Sequence, residues 1–345
     1  MSTRLAAGTA ALSGRAERLR LGFLGLGWIG RKRMESLVRS GLVEVAAIAD
    51  PVKEVAEQAQ AICQDAPFVY VDHMEALWGE HLDGLVIATP SALHAEQAIA
   101  ALESGLAVFC QKPLGRTATE TRQAVEAARR ADRLLGVDLS YRYLQGMQAI
   151  RDLVQAREIG DVYAVDVVFH NAYGPDKAWF YDAAQSGGGC LIDLGLHLVD
   201  LVLWTLGFPR VTQTSSRMFA RGKRLEMGRD QVEDYAVARL DLDTGAVISL
   251  ACSWRLPAGL DAVIEAVFYG TAGGLALRNV CGSFYDFRAE RFRGTARQTL
   301  HEPPDEWGGR AAVAWAHRLA DSRRYHPEVE QVVTVAEVID RLYDL

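Results

Sequence analysis

Residues 187–204 read GGGCLIDLGLHLVDLVLW, and in this apolar run stand Asp193, His197 and Asp200. Their i, i+4, i+7 spacing sets three ionisable groups along one helix face. Burying such a stripe is unfavourable unless the groups are paired or line a wet cavity. A carboxylate beside a histidine is material for general acid–base chemistry, because the unperturbed histidine pKa near ~6.5 suits proton transfer close to neutrality. Spacing alone leaves two readings open. One is a core histidine bonded to Asp193 one turn away; the other is a cavity-facing group.

A second stretch, LGFLGLGWIG, places Gly25, Gly27 and Gly30 after a strand-like run and at the opening of a helical pattern. The first glycine permits a tight turn, the second lets the backbone approach a pyrophosphate, and the third lets helix and strand pack closely. With Trp28 and Ile29 they form a helix N-terminus whose unpaired N–H groups face an anion. Asp50 ends the next apolar run, about 20 residues further on, where an acid bonds the ribose hydroxyls of a dinucleotide. A carboxylate there repels a 2′-phosphate, so NAD is expected in preference to NADP; Lys53 works against that preference. The fourth and fifth apolar runs end in ATPSALH and VFCQKPLG. Ligands of open α/β sheets lie at the carboxyl ends of strands, which puts Thr89, Pro90 and Lys112 beside the cofactor. Lys112 precedes a proline and is therefore held extended. Partly desolvated beside a nicotinium ring, its amine is expected to have a lowered pKa that suits proton transfer; the bland alternative is a surface lysine closing a turn.

These groups need a frame. Over 20–138, six short apolar runs alternate with helical-period stretches, the repeat of a parallel sheet with helices on both faces. From about 142 the pattern changes. A helix-like stretch (142–157) and a strand (162–170) lead through an aromatic loop (170–182) to the helix of the stripe. Five longer strands follow between 210 and 290, joined by short turns that argue for antiparallel order. Helical segments return at 308–321 and 328–343. The expected fold is α/β: a disordered extension over 1–18, a doubly wound Rossmann domain over 19–139, and an α+β domain over 140–345 with a mostly antiparallel open sheet and a C-terminal helix free to pack back on the first domain. The uncovered face of that sheet, with Val237, Val247 and Ile264 as candidates, is expected to join copies into a homodimer or homotetramer.

Composition narrows the function. Lys and Arg number 37 against 44 Asp and Glu, a net charge of -7, so there is no basic footprint for nucleic acid. No apolar run is read as reaching the ~18–20 residues of a membrane helix, and residues 1–18 lack the apolar core of a secretory signal. The five cysteines (63, 110, 190, 252 and 281) have no C-x-x-C spacing. They read as reduced thiols of a cytoplasmic protein, and no metal site is expected.

Taken in order, GLGWIG, TPSALHAEQA, CQKPLG and GGGCLIDLGLHLVD resemble the Gfo/Idh/MocA oxidoreductase family, which includes glucose–fructose oxidoreductase and inositol dehydrogenase; the likeness runs from residue 20 to the C-terminus. Two positions depart from the family pattern. Gln111 stands where Glu is usual, removing a negative neighbour of Lys112, and Ser91 where Asn is frequent. The resemblance implies Lys112, Asp193 and His197 as the catalytic group, with Asp200 structural. It implies hydride transfer between nicotinamide and a secondary alcohol or ketone of a sugar or cyclitol. His197 would exchange the hydroxyl proton, Asp193 bind a neighbouring hydroxyl and set the charge of His197, and Lys112 bond the reacting oxygen. Tyr141, Arg142 and Trp179 are candidate substrate contacts. His94 is expected to pack or cap near the cofactor, and Glu233 and Asp234 to face solvent. Two other functions fit the same resemblance: NAD-dependent glycoside cleavage without net redox change, and a non-catalytic regulator that binds nucleotide and sugar.

Overall fold

The computed structural model describes residues 18–62, 69–71 (backbone only), 81–226 and 231–344. The expected N-terminal extension, residue 18 apart, and Cys63 lie outside the described residues.

The first sheet holds β1 (Leu19–Leu24), β2 (Val43–Ala49), β3 (Val69–Val71), β4 (Gly84–Ile87), β5 (Ala107–Cys110) and β6 (Leu135–Val137) in the order β3-β2-β1-β4-β5-β6. Every pairing is parallel. Parallel strands covered on both faces read as continuous apolar runs, and β4 and β5 are buried at all their positions. The covering helices are α1 (Trp28–Arg39), α2 (Lys53–Gln60), α3 (Ser91–Glu103) and α4 (Ala118–Ala131). The strand order reverses between β1 and β4, and ligands of such sheets lie in the crevice at that point.

Past α5 (Gln145–Gln155), β7 (Val162–Asn171) enters a second sheet. It is completed by β8 (Val211–Ala220), β9 (Lys223–Arg224), β10 (Tyr235–Leu242), β11 (Val247–Ser253), β12 (Ala262–Gly270), β13 (Gly273–Asn279), β14 (Phe287–Arg293) and β15 (Ala296–His301). The order is β15-β14-β13-β12-β7-β11-β10-β8-β9, antiparallel except for the parallel pair β7–β11. Its strands alternate: in β10, Ala236, Ala238, Leu240 and Leu242 face the core while Val237 is 40% exposed. Ile264 does not belong to the open face as expected; it is 4% exposed and points inward. β14 and β15 lie beyond the strands the sequence pattern predicts, because FRAERFR and ARQTLH intersperse charge with few apolar residues at the sheet edge.

Between the sheets runs the helix of the stripe. A short α6 (Ala183–Ser186) leads through the glycines to a π-helical turn over Leu191–Gly195 and then to α7 (Leu196–Leu206). The run Ala183–Leu206 meets the length and composition of a membrane span, contrary to the sequence reading, but 78% of its most apolar window is buried inside the protein. It is the core helix of this fold. Near the end of the chain, α8 (Arg310–Asp321) returns to the first sheet, where Trp315 packs on Phe109 at 5.7 Å between ring centres. α9 (Gln331–Leu342) lies against α4 and α7.

Candidate active site

The glycine turn between β1 and α1 has the features its sequence implies. Gly25 has φ +82°, and a Cβ there would meet the Ala88 backbone at 2.7 Å. A Cβ on Gly30 would run into the Gly25 carbonyl. At Gly27 a Cβ would meet nothing within 4 Å, so the backbone stays open above the first N–H groups of α1. Trp28 and Ile29 form that first turn, with Trp28 57% exposed. Asp50, at the end of β2, accepts from Leu26 N–H at 2.7 Å and Val52 N–H at 2.9 Å, which fixes the turn; a carboxylate has room for further donors. These residues fit a dinucleotide with its pyrophosphate at the helix N-terminus.

At the end of β4, Thr89 donates to Gln97 Oε1 at 2.6 Å and Pro90 begins α3. His94 sits between the two strand ends, its ring nitrogens each 2.7 Å from a carbonyl oxygen, of Pro113 and of Thr89. It therefore ties the end of β4 to the end of β5 rather than facing the cleft.

Lys112, just past β5, precedes Pro113 through a cis peptide bond. Its ammonium donates to Asp193 Oδ1 at 2.6 Å and to the Asp193 carbonyl at 2.9 Å. The second carboxylate oxygen accepts from Trp254 Nε1–H at 3.1 Å. A group of the first sheet and a group of the central helix thus meet across the crevice, with only 17% and 16% of their side chains exposed. His197, one turn on, packs its half-buried ring on Tyr141 at 4.9 Å between centres. Burial, then the charges of Lys112 and Arg33, hold its pKa well below 6.5. Burial pushes the Tyr141 phenol up, with Asp193 adding to the effect, so it stays neutral.

The fold sets the partners of these side chains. Asp193 bonds Lys112 and Trp254, and no hydrogen bond joins it to His197. The stripe is not continuous either, because the π-helical turn changes the rotation between Asp193 and Asp200; such turns recur at functional sites. Asp200 and Arg142 form a buried bidentate pair, at 2.9 and 2.5 Å, and the third guanidinium nitrogen donates to Gln331 at 2.8 Å. All three guanidinium nitrogens of Arg142 are therefore engaged at the junction of α7 and α9. Trp179 stacks on Phe180 at 3.7 Å between centres; the aromatic side chain that reaches Asp193 is Trp254.

Glu233 was expected in solvent and is fully buried. It accepts from Gly189 N–H at 3.0 Å, Leu191 N–H at 2.8 Å and the Tyr343 hydroxyl at 2.7 Å. An acid at a helix N-terminus is favourable there, although burial outweighs these bonds and raises its pKa. A Cβ on Gly189 would strike the Glu233 carbonyl, so that glycine admits the strand lead-in that anchors the turn bearing Asp193. Asp234, its neighbour, is partly buried and accepts from Arg221 N–H at 2.8 Å. The departure at Gln111 also has a partner. Its amide donates to Asp138, which is 1% exposed and pairs with Arg33 of α1 and with Ser140. The carboxylate near Lys112 is supplied by Asp193, and a Glu at 111 would oppose Asp138. Glu233 gave no signal before the fold was known, because a lone acid ahead of a strand usually faces water.

Cys110, Cys190 and Cys252 are buried free thiols and Cys281 is an exposed one. Among the described residues, no three His, Cys, Asp or Glu side chains gather as a metal site.

Comparison with known proteins gives the following. Residues 19–139 match the model of an oxidoreductase family with an NAD-binding Rossmann fold, and 147–276 match that of the GFO/IDH/MocA C-terminal domain. The rhizopine catabolism protein MocA of Rhizobium meliloti is 30% identical over 257 residues, 74% of this chain and 77% of the relative. D-glucoside 3-dehydrogenase of Escherichia coli (strain K12) is 27% identical over 273 residues, 75% and 77% of the two chains. The crystal structure of GenD2 from gentamicin A biosynthesis, in complex with NAD, superposes with a TM-score of 0.79 at 24% identity, covering 99% of this chain and 97% of that one.

Proposed function

The chain belongs to the GFO/IDH/MocA family of NAD-binding oxidoreductases, and from that premise we propose that it exchanges a hydride between nicotinamide and a secondary alcohol or ketone of a sugar or cyclitol, with Lys112, Asp193 and His197 as the catalytic group. The observation that carries this reading is the meeting of Lys112 and Asp193 at 2.6 Å across the crevice at the strand ends. Relatives such as D-glucoside 3-dehydrogenase support the substrate class.

NAD(P) supplies the hydride acceptor or donor when bound, held by Gly25, Gly27, Trp28, Ile29 and Gly30 of the turn, by Asp50, and by Thr89, Pro90 and Lys112 at the strand ends. Lys112 donates to the reacting oxygen and stabilises charge on it. Asp193 fixes the lysine and, through its remaining lone pairs, accepts from a neighbouring hydroxyl. His197, kept unprotonated by its surroundings, takes the hydroxyl proton in oxidation and returns it in reduction. Tyr141 shields the imidazole from water. We read Asp50 as favouring NAD over NADP, the open face of the second sheet as an interface between copies of the chain, and the buried free thiols as those of a cytoplasmic protein.

The test is a panel of inositols, aldoses and amino sugars with NAD, followed by NADH absorbance. Net NADH formation is expected with at least one of them. Glycoside cleavage without net NADH, or nucleotide and sugar binding without turnover, would replace the proposal with one of its alternatives. Tighter fluorescence titration by NADP than by NAD would reverse the cofactor preference.

A further inference from the structure

Arg33, in the second turn of α1, and Asp138, just past β6, form an ion pair with 8% and 1% of their side chains exposed. The pair lies outside the catalytic group, yet its bonds lead to that group's neighbours. Asp138 accepts from the Gln111 amide, and Gln111 directly precedes Lys112. The other Asp138 oxygen accepts from the Ser140 hydroxyl, and Ser140 directly precedes Tyr141, whose ring packs on His197 at 4.9 Å between centres. The Arg33 guanidinium donates to Asp138, to Ser140 Oγ at 3.1 Å and to the Gly308 carbonyl. Trp307, beside Gly308, packs on Tyr141 at 5.0 Å between ring centres.

Stability does not account for this arrangement, because a buried ion pair contributes no more than well-packed apolar side chains of the same volume. What the pair adds is direction. Each hydrogen bond fixes a donor and an acceptor in one geometry, and a buried network with every member bonded is rigid. Three segments converge on it: the end of β5 before Lys112, the start of the second domain before Tyr141, and the lead-in to α8. All three are thereby tied to α1. The N-terminus of the same helix fits the pyrophosphate, and Arg33 lies one turn beyond Ile29. The turn that holds the cofactor and the side chains that move the proton thus share one rigid body.

We propose that Gln111 and Ser140 are positioning residues of this site: anchored on the Arg33–Asp138 pair, Gln111 sets Lys112, and Ser140 sets Tyr141 and through it His197. This role rests on the preceding assignment of Lys112 and His197 to the reaction. Misplacing a reacting group by about 1 Å lowers turnover by about 10²-fold, so a shift of half that size corresponds to about tenfold.

Gln111→Met and Ser140→Ala each remove one arm and leave the Arg33–Asp138 pair in place, so both variants are expected to fold; should one not fold, the other decides by the same outcomes. Turnover is measured with NAD and whichever inositol, aldose or amino sugar the wild type oxidises fastest. Each variant is expected to lower kcat by about tenfold or more while KM for NAD stays within about threefold. A residue that acts through another adds nothing once that other is gone. In a Lys112→Met background, Gln111→Met should therefore lower kcat by less than about threefold further, and Ser140→Ala should do the same in a His197→Ala background. A folded variant with kcat within about threefold of wild type, a change confined to KM, or the full loss repeated in those backgrounds would overturn the proposal. If the wild type oxidises none of the panel, the redox reading has failed, and crystal structures of the two variants decide the positioning. Lys112 Nζ standing beyond about 3.5 Å from Asp193 Oδ1 in Gln111→Met upholds it, as does a Tyr141 ring moved off His197 in Ser140→Ala. Retention of 2.6 Å and 4.9 Å at these two contacts removes it.

Discussion

Asp193→Asn tests whether Lys112 and Asp193 act as one unit. The carboxylate offers one oxygen to the ammonium at 2.6 Å and the other to Trp254 at 3.1 Å. Asparagine keeps the volume but has a single oxygen, so its NH₂ must face either the ammonium or the indole N–H. One bond is lost and a donor–donor contact replaces it. With both side chains less than one-fifth exposed, the lost charge-assisted bond corresponds to about 1.5–3 kcal/mol. The bond from Lys112 to the Asp193 carbonyl at 2.9 Å survives, so the fold should persist with a melting point a few degrees lower. Turnover should fall by about 10²-fold or more, as befits a group that positions an acid–base catalyst, while NAD affinity by fluorescence stays within about threefold. The decisive measurement is the cycle with Lys112→Met. If each single change lowers kcat/KM by about 10², independent groups multiply to about 10⁴, whereas a unit leaves the double variant near the worse single. A multiplicative loss would refute the reasoning, as would Asp193→Asn activity within threefold of wild type.

Three further outcomes are expected. His197→Ala should retain NAD binding and lose most turnover. Because the His197 pKa is depressed, its base form persists below pH 6.5, so the acid limb of the wild-type kcat/KM profile should lie below that value; a limb above pH 7 that vanishes in His197→Ala contradicts the assignment. Gln111→Glu sets a second carboxylate against Asp138, raising a folded-state carboxyl pKa above its unfolded value. That penalty is absent below the unfolded pKa and grows as pH rises through the folded one, so the melting-point deficit against wild type should be largest at neutral pH and shrink on acidification; a pH-independent deficit speaks against it. Gly27→Ala, whose Cβ meets nothing, should melt like wild type yet bind NAD at least about tenfold more weakly; unchanged NAD affinity would move the pyrophosphate elsewhere.

The apolar runs and turn glycines determined much of this protein without the fold. A strand buried on both faces must be apolar throughout, and a turn that hugs a neighbouring backbone must be glycine, so six parallel strands and the nucleotide turn were legible in one dimension. Asp193 and His197 stood out as candidates because charge is conspicuous where hydrocarbon is expected, and the family resemblance joined Lys112 to them. The pairings were not legible. The partner of Arg142 is Asp200, 58 residues away, that of Asp193 is Trp254, 61 residues away, and Glu233 reaches Tyr343 across 110. Nothing local marks such partners, since an exposed acid and a buried, bonded one have the same neighbours in sequence. The π-helical turn at Leu191–Gly195 shows the same limit: helical period sets which residues share a face, but only the strand lead-in carrying Glu233 and the lysine arriving from the other sheet decide how far that face is rotated.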